Sequence, residues 1–199
     1  MNTAVTTKKR KSRGFTLLET MVAISILLTA LGGPFVVTQV GLRTARKASQ
    51  ELVASNLAQE GIEYIRYIRD TNPFMNKSWL TLLQGSPNDC VADLESDNAK
   101  TCVVDAIQNN IYDSPDSQFA CVLAGDVFSC PFIRFNADSG FYGYEDNDDE
   151  TIYHRAVHMK ISRMHNGDPV EVQVVSEVGW EDQGDKRTIR IEEYITDWR

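Results

Sequence analysis

Much of the usual vocabulary of chemistry is missing from this 199-residue sequence. It has no GxSxG, no GxGxxG, no P-loop and no HExxH. A nucleophile elbow, a phosphate cradle and a zincin helix are therefore not written in it. Its four cysteines form no CxxC, and it has only three histidines, His154, His158 and His165. Positive charge is also short: 20 Lys and Arg face 28 Asp and Glu, a net charge of -8. That balance argues against a general nucleic-acid binder. A mean hydropathy below zero excludes a polytopic membrane protein. What is present, 42% hydrophobic and 24% charged residues, suits one modest domain with an appendage and excludes collagen-like, low-complexity and wholly disordered chains.

The charge is unevenly spread. Residues 1–14 contain Lys8, Lys9, Arg10, Lys11 and Arg13 and no acid, so without them 15 basic residues (20 minus 5) face 28 acidic ones, a net charge of -13. A basic head before an acidic body reports targeting. Next comes an apolar run, Phe15–Val37, of 23 residues. As a helix it spans about 35 Å, enough for a hydrocarbon core of roughly 30 Å. The basic flank places residues 1–14 in the cytoplasm and the body outside.

Glu19 is the one ionisable residue in that run. A carboxylate there costs on the order of 2–3 kcal/mol and calls for a partner. A secretory signal cut near Ala30-Leu31-Gly32, or a plain signal anchor, leaves Glu19 unexplained. A buried soluble helix would need an interior that so small a domain lacks. Cleavage after Gly14 would instead create an amino group at Phe15, which one subunit can offer to the next subunit's Glu19.

The string KKRKSRGFTLLE followed by a long apolar run resembles the class III signal of type IV prepilins and type II secretion pseudopilins. The resemblance implies that a prepilin peptidase cuts between Gly14 and Phe15, that Phe15 is N-methylated, and that Glu19 aligns subunits by charge pairing. A glycine suits the cut, since it lets the backbone approach a peptidase closely. One departure is visible. The helix-breaking Pro common in pilins would fall at Val36, whereas here Gly32-Gly33-Pro34 supplies a displaced weak spot.

From residue 41 to 70 there is no Pro, and Val53, Leu57, Gly61, Tyr64 and Ile68 recur on one helical face. Arg43, Lys47, Gln50, Glu51 and Arg66 lie opposite. Asn72-Pro73 predicts the stop, so one helix of on the order of 80 Å is expected from Phe15 to about Asp70. Residues 73–150 read as irregular. They hold Cys90, Cys102, Cys121 and Cys130. On an exported body these permit three disulfide pairings, of which Cys90–Cys102 and Cys121–Cys130 close short loops. Zinc is the alternative, without a CxxC or a nearby His to support it. From 151 the residues alternate as strands, with turns at Asn166-Gly167 and Gln183-Gly184, predicting an antiparallel meander with one apolar face packed on the helix stripe. The expected class is α+β, a pilin fold: leader 1–14, apolar half-helix 15–37, amphipathic half-helix 38–72, variable region 73–150, meander 151–199. The segments AQEGIEYIRYIRD and VGWEDQGDKRTIRIEEYITDW also resemble minor pilins of the PilV kind.

Two weaker signals remain. His154 and His158 would share a strand face about 13 Å apart, too far for one ion, and read as solvent-exposed. Asp146, Asp148 and Glu150 alternate in an acidic run like a calcium loop, but lack the EF-hand spacing, and a solvated loop is the plainer reading. No cofactor is expected. The chain reads as the substrate of an enzyme, not as one. The resemblance implies a minor pilin precursor in the cytoplasmic membrane, single-pass, later part of an extracellular filament. Its partners would be the prepilin peptidase, other pilins and the pilus assembly platform, with nucleic acid only as a surface ligand. A type II secretion pseudopilin is the alternative within the class, and a signal-anchored receptor or adhesin that never assembles is the alternative outside it.

Overall fold

A computed structural model describes residues 14–81, 83, 90–95, 100–112, 121 and 126–198. The basic stretch 1–13 lies outside the described residues. The chain divides into two compact units, residues 1–48 and 49–199.

One helix, α1 (Leu17–Phe74, 58 residues), runs through both. It begins at the FTLLE string and continues without interruption across Gly32-Gly33-Pro34. The expected weak spot is therefore no break, and the cost of two glycines and a proline is borne within a helix of 58 residues. The helix also passes Asn72-Pro73 but stops one residue later, at Phe74, because proline has no N–H to continue the ladder. Asn72 then anchors the exit. Buried at 2% exposure, it donates from Nδ2 to the carbonyls of Trp79 (3.2 Å) and Thr81 (2.6 Å).

In the first unit α1 presents its apolar side chains outward all round; Leu18, Leu28 and Val37 are each about 70% exposed. In the second unit one face of α1 is buried: Ala54, Leu57, Ala58, Gly61, Ile62, Tyr64, Ile65, Ile68 and Asn72. The stripe is wider than the spacing of 4, 4, 3 and 4 suggested, with Ala54 in place of Val53 at its start.

The sheet has eight strands: β1 (Val91–Ala92), β2 (Lys100–Asp105), β3 (Asn110–Tyr112), β4 (Phe132–Phe135), β5 (Tyr142–Gly143), β6 (Asp149–His165), β7 (Asp168–Asp182) and β8 (Asp185–Thr196). The last three form the antiparallel meander. Its hairpins close on two-residue turns, Asn166-Gly167 and Gln183-Gly184, whose residues all have positive φ (52°, 89°, 56° and 90°). Such turns match the twist of the strands they join, and Asn and Gly tolerate that backbone best.

Residues 73–150, expected to be irregular, add five short strands to the sheet, on the side of β6 not taken by β7. There β1 pairs parallel to β6 at Met159 and Lys160, while β2 and β4 pair antiparallel to it. These segments are too short to signal themselves by alternation.

Helix and sheet meet closely at Gly61. A Cβ there would fall 2.6 Å from Ser176 Oγ, so any larger residue would force the serine hydroxyl or the helix to shift. Val157 and Ser176, directly paired across β6 and β7, form the floor under it. The opposite face of the sheet is covered as well. The 3-10 turn Val127–Ser129 lies against Gly179, where a Cβ would come within 2.7 Å of Val127. The meander is thus packed on both faces around Gly179 and His154.

Candidate functional site

The residues singled out for processing lie at the start of α1. Gly14 and Phe15 precede the helix, outside any regular element, and both are exposed. Thr16 caps the helix: its Oγ1 accepts from the Glu19 backbone N–H at 3.2 Å. Thr16 and Glu19 thus stand at the two ends of a T-x-x-E capping sequence, with the carboxylate in the first turn, where the helix dipole favours negative charge. Sequence reading passed over Thr16, although the T-x-x-E signal was legible. The Glu19 side chain is exposed and makes no ion pair with any described residue. Thr20, Ser25, Thr29 and Thr38 return their hydroxyls to carbonyls three or four residues earlier, so the hydroxyls of this stretch are satisfied within the helix. By length and composition α1 is able to cross a membrane.

The sites expected in the body fall as follows. Cys90–Cys102 and Cys121–Cys130 are disulfides. The first joins buried Cys90, just before β1, to Cys102 in β2; the second ties residue 121 to the exit of the 3-10 turn.

The histidines require a correction. His154 is 8% exposed, its Nδ1 lies 2.7 Å from the Cys130 carbonyl, and its ring stacks 4.0 Å from that of Phe132. The segment 127–132 covers this face of the sheet, and two-residue alternation cannot reveal such a cover. His158 is also mostly covered, with 12% of its side chain exposed. Its Nδ1 lies 2.8 Å from Thr101 Oγ1 and its Nε2 3.7 Å from Glu177. His165 alone is exposed.

The acidic run is engaged with its surroundings. Asp146 pairs with Arg134 at 3.1 Å, and Asp148 accepts from Asn136 Nδ2 at 2.7 Å. Glu150 is exposed. Among the described residues no three His, Cys, Asp or Glu side chains gather in a way that could hold a metal ion.

One fully buried charged group in the body was not foreseen. Arg155 is 1% exposed and lies in β6 between the helix and β2. Its guanidinium donates to Glu60 (2.6 Å), the Leu57 carbonyl (3.1 Å) and the Val104 carbonyl (2.5 Å). Burial disfavours its charge, but Tyr144 and Glu60 beside it outweigh that, and its pKa is raised. Tyr144 carries no charge at neutral pH, so Glu60 is the counter-ion that matters there. Burial pushes the Tyr144 phenol up to about 12, against the opposing pull of Arg155. The cluster clamps helix to sheet. A second clamp joins Arg66 of α1 to Glu193 of β8 through two hydrogen bonds of 2.9 and 2.6 Å.

Comparison with known proteins finds one family, the Prokaryotic N-terminal methylation motif, over residues 9–33. This is the signal of type IV prepilins and pseudopilins, and it contains Gly14, Phe15, Thr16 and Glu19. No curated protein and no solved structure matches the chain. The chain therefore carries a pilin-type processing signal at the start of a helix long and apolar enough to cross a membrane, and its body is an antiparallel sheet packed on the later part of that helix. The motif implies processing by a prepilin peptidase and assembly with other pilins.

Proposed function

We propose that this chain is the precursor of a minor type IV pilin, cut between Gly14 and Phe15, methylated at the new Phe15 amino group, and then incorporated into a filament or used to prime one. The observation that carries the reading is the methylation motif laid over the start of α1. Gly14 and Phe15 stand exposed ahead of the helix, where a peptidase needs extended backbone. Glu19 stands one turn into it with no ion-pair partner of its own among the described residues.

In the membrane the leader lies on the cytoplasmic side and the body on the other, as the basic flank requires. In the filament the Phe15 ammonium of one subunit neutralises Glu19 of its neighbour, relieving the cost of a carboxylate in an apolar bundle. The minor-pilin assignment draws on the two segments at 58–70 and 178–198 that resemble PilV-like proteins.

The test is the intact mass of the chain made with and without a prepilin peptidase. The expected product lacks residues 1–14 and carries one methyl group. Gly14→Val should abolish both changes. A Cβ at Gly14 meets nothing within 4 Å, so this variant leaves the chain's own packing alone. An uncut precursor in the presence of active peptidase would overturn the reading, and a cut near Gly32 would make the segment an ordinary secretory signal.

A further inference from the structure

We infer that Arg43, Arg46 and Lys47 form an interfacial anchor that binds the phosphates of anionic phospholipid headgroups, on the membrane face opposite the leader. The inference rests on α1 being the membrane anchor. Residues 20–42 contain no charged side chain, and 24 residue steps separate Glu19 from Arg43. At helical rise that is about 36 Å. The distance exceeds a hydrocarbon core of roughly 30 Å but not the full bilayer of about 40–45 Å. With Glu19 at one edge of the core, Arg43 therefore emerges in the headgroup layer of the other leaflet.

The three basic residues stand at i, i+3 and i+4 and so share a helix face. Arg43 and Arg46 are exposed and Lys47 is partly so. None of the three makes an ion pair with any described residue. The first acid after Glu19 is Glu51, four residues beyond Lys47, the usual spacing for a helical pair. Its carboxylate is held by Arg187 at 3.1 Å instead. The stems of these side chains can lie along the apolar helix while their charged ends reach phosphate.

Processing sharpens the effect. Cleavage after Gly14 removes five basic residues from the cytoplasmic side, and Arg43, Arg46 and Lys47 are then the only Lys or Arg between Phe15 and Glu51. The positive bias of the mature segment passes to the exported side, where it fixes how deep the stored subunit sits. The acidic body of a neighbouring copy is the competing partner. The position at the exit of the apolar run favours lipid, because a membrane-stored chain holds these residues at the depth of the phosphates.

The test uses the full chain in vesicles of equal phosphatidylglycerol and phosphatidylcholine, with one or the other lipid spin-labelled in trace. The ratio of immobilised label measures preference. The wild-type chain should favour phosphatidylglycerol by about fivefold or more, weakening with salt. R43Q/R46Q/K47Q should lower the ratio to the remainder held by the five basic residues of 1–14, and R43K/R46K should preserve it. A wild-type ratio of one, or an undiminished ratio in the glutamine variant, would overturn the proposal. So would loss of self-association with lipid preference intact, which would assign the three residues to a neighbour's acidic body. Alkaline extraction of the wild-type chain from the vesicles would overturn the membrane anchor itself, and this proposal with it.

Discussion

The two parts of α1 obey the same backbone rules and meet opposite fates. Leu28 is 69% exposed and Leu57 is 4% exposed, yet both are leucines in one continuous helix. In residues 17–48 the apolar side chains surround the axis; from Ser49 onward they narrow to a stripe, and the stripe is covered by the sheet. A helix apolar on every side has no complement within a small domain and awaits lipid or other copies of itself. A striped helix finds its complement in its own chain. The first part therefore lacks a complement among the described residues of its own chain, and the second has one in a core that is fixed at folding.

The largest expected break lies in the clamp of the second part. Arg155→Ala leaves Glu60 and two carbonyls without their buried donor, and the unfolding free energy of the full chain in detergent should fall by about 3–5 kcal/mol in urea titrations. An unchanged midpoint would mean that water satisfies the site and that the clamp is incidental. Next, Leu57→Ala and Leu28→Ala set the two parts directly against each other. The first should cost about 2–5 kcal/mol of body stability, and the second close to nothing in the same assay. Comparable losses would show that the N-terminal half is folded against something other than detergent.

A pH titration sharpens the contrast within the body. The Tyr144 phenol is raised in the folded state, to about 12 from an ordinary value near 10. The unfolded chain therefore ionises first. Stability is fully present below pH 10 and falls as pH climbs toward 12, by roughly 2–3 kcal/mol in all. Tyrosinate absorbance should show one phenol that ionises only as the body unfolds. A non-cooperative absorbance change complete by pH 11 would contradict this. The smallest effect belongs to the first turn. Thr16→Ala removes the cap from the Glu19 N–H and should cost about 1 kcal/mol of local helix stability, read as faster amide exchange at Glu19 with the body unchanged.

The parts of the molecule legible in advance share a physical character: each is a local pattern with a local cause. The apolar run, the stripe on α1, and the Asn166-Gly167 and Gln183-Gly184 turns belong to this group, because periodicity and turn chemistry act over a few residues. The methylation motif over residues 9–33 was legible for a similar reason, since a basic head, a glycine and an isolated carboxylate in an apolar run form a local pattern. Thr16 was equally local and was simply passed over. His154 was read as exposed because alternation assigns a residue to a face without saying what covers that face. Nothing within a few residues of it announces Phe128 and Phe132.

By itself, then, the sequence determined that this protein has a basic head, one apolar helix able to cross a membrane, a pilin-type processing signal, and a meander closed by tight turns. Only the tertiary structure decided that the short strands of residues 91–143 extend the sheet from β6, directly or through β2 and β4, that the segment 127–132 buries His154, and that Arg155 sits with Glu60 between helix and sheet. Helices and hairpins arise from contacts a few residues apart, whereas these three features join residues 14 to 95 positions apart. At that separation, burial and charge are set by which surfaces the fold brings together.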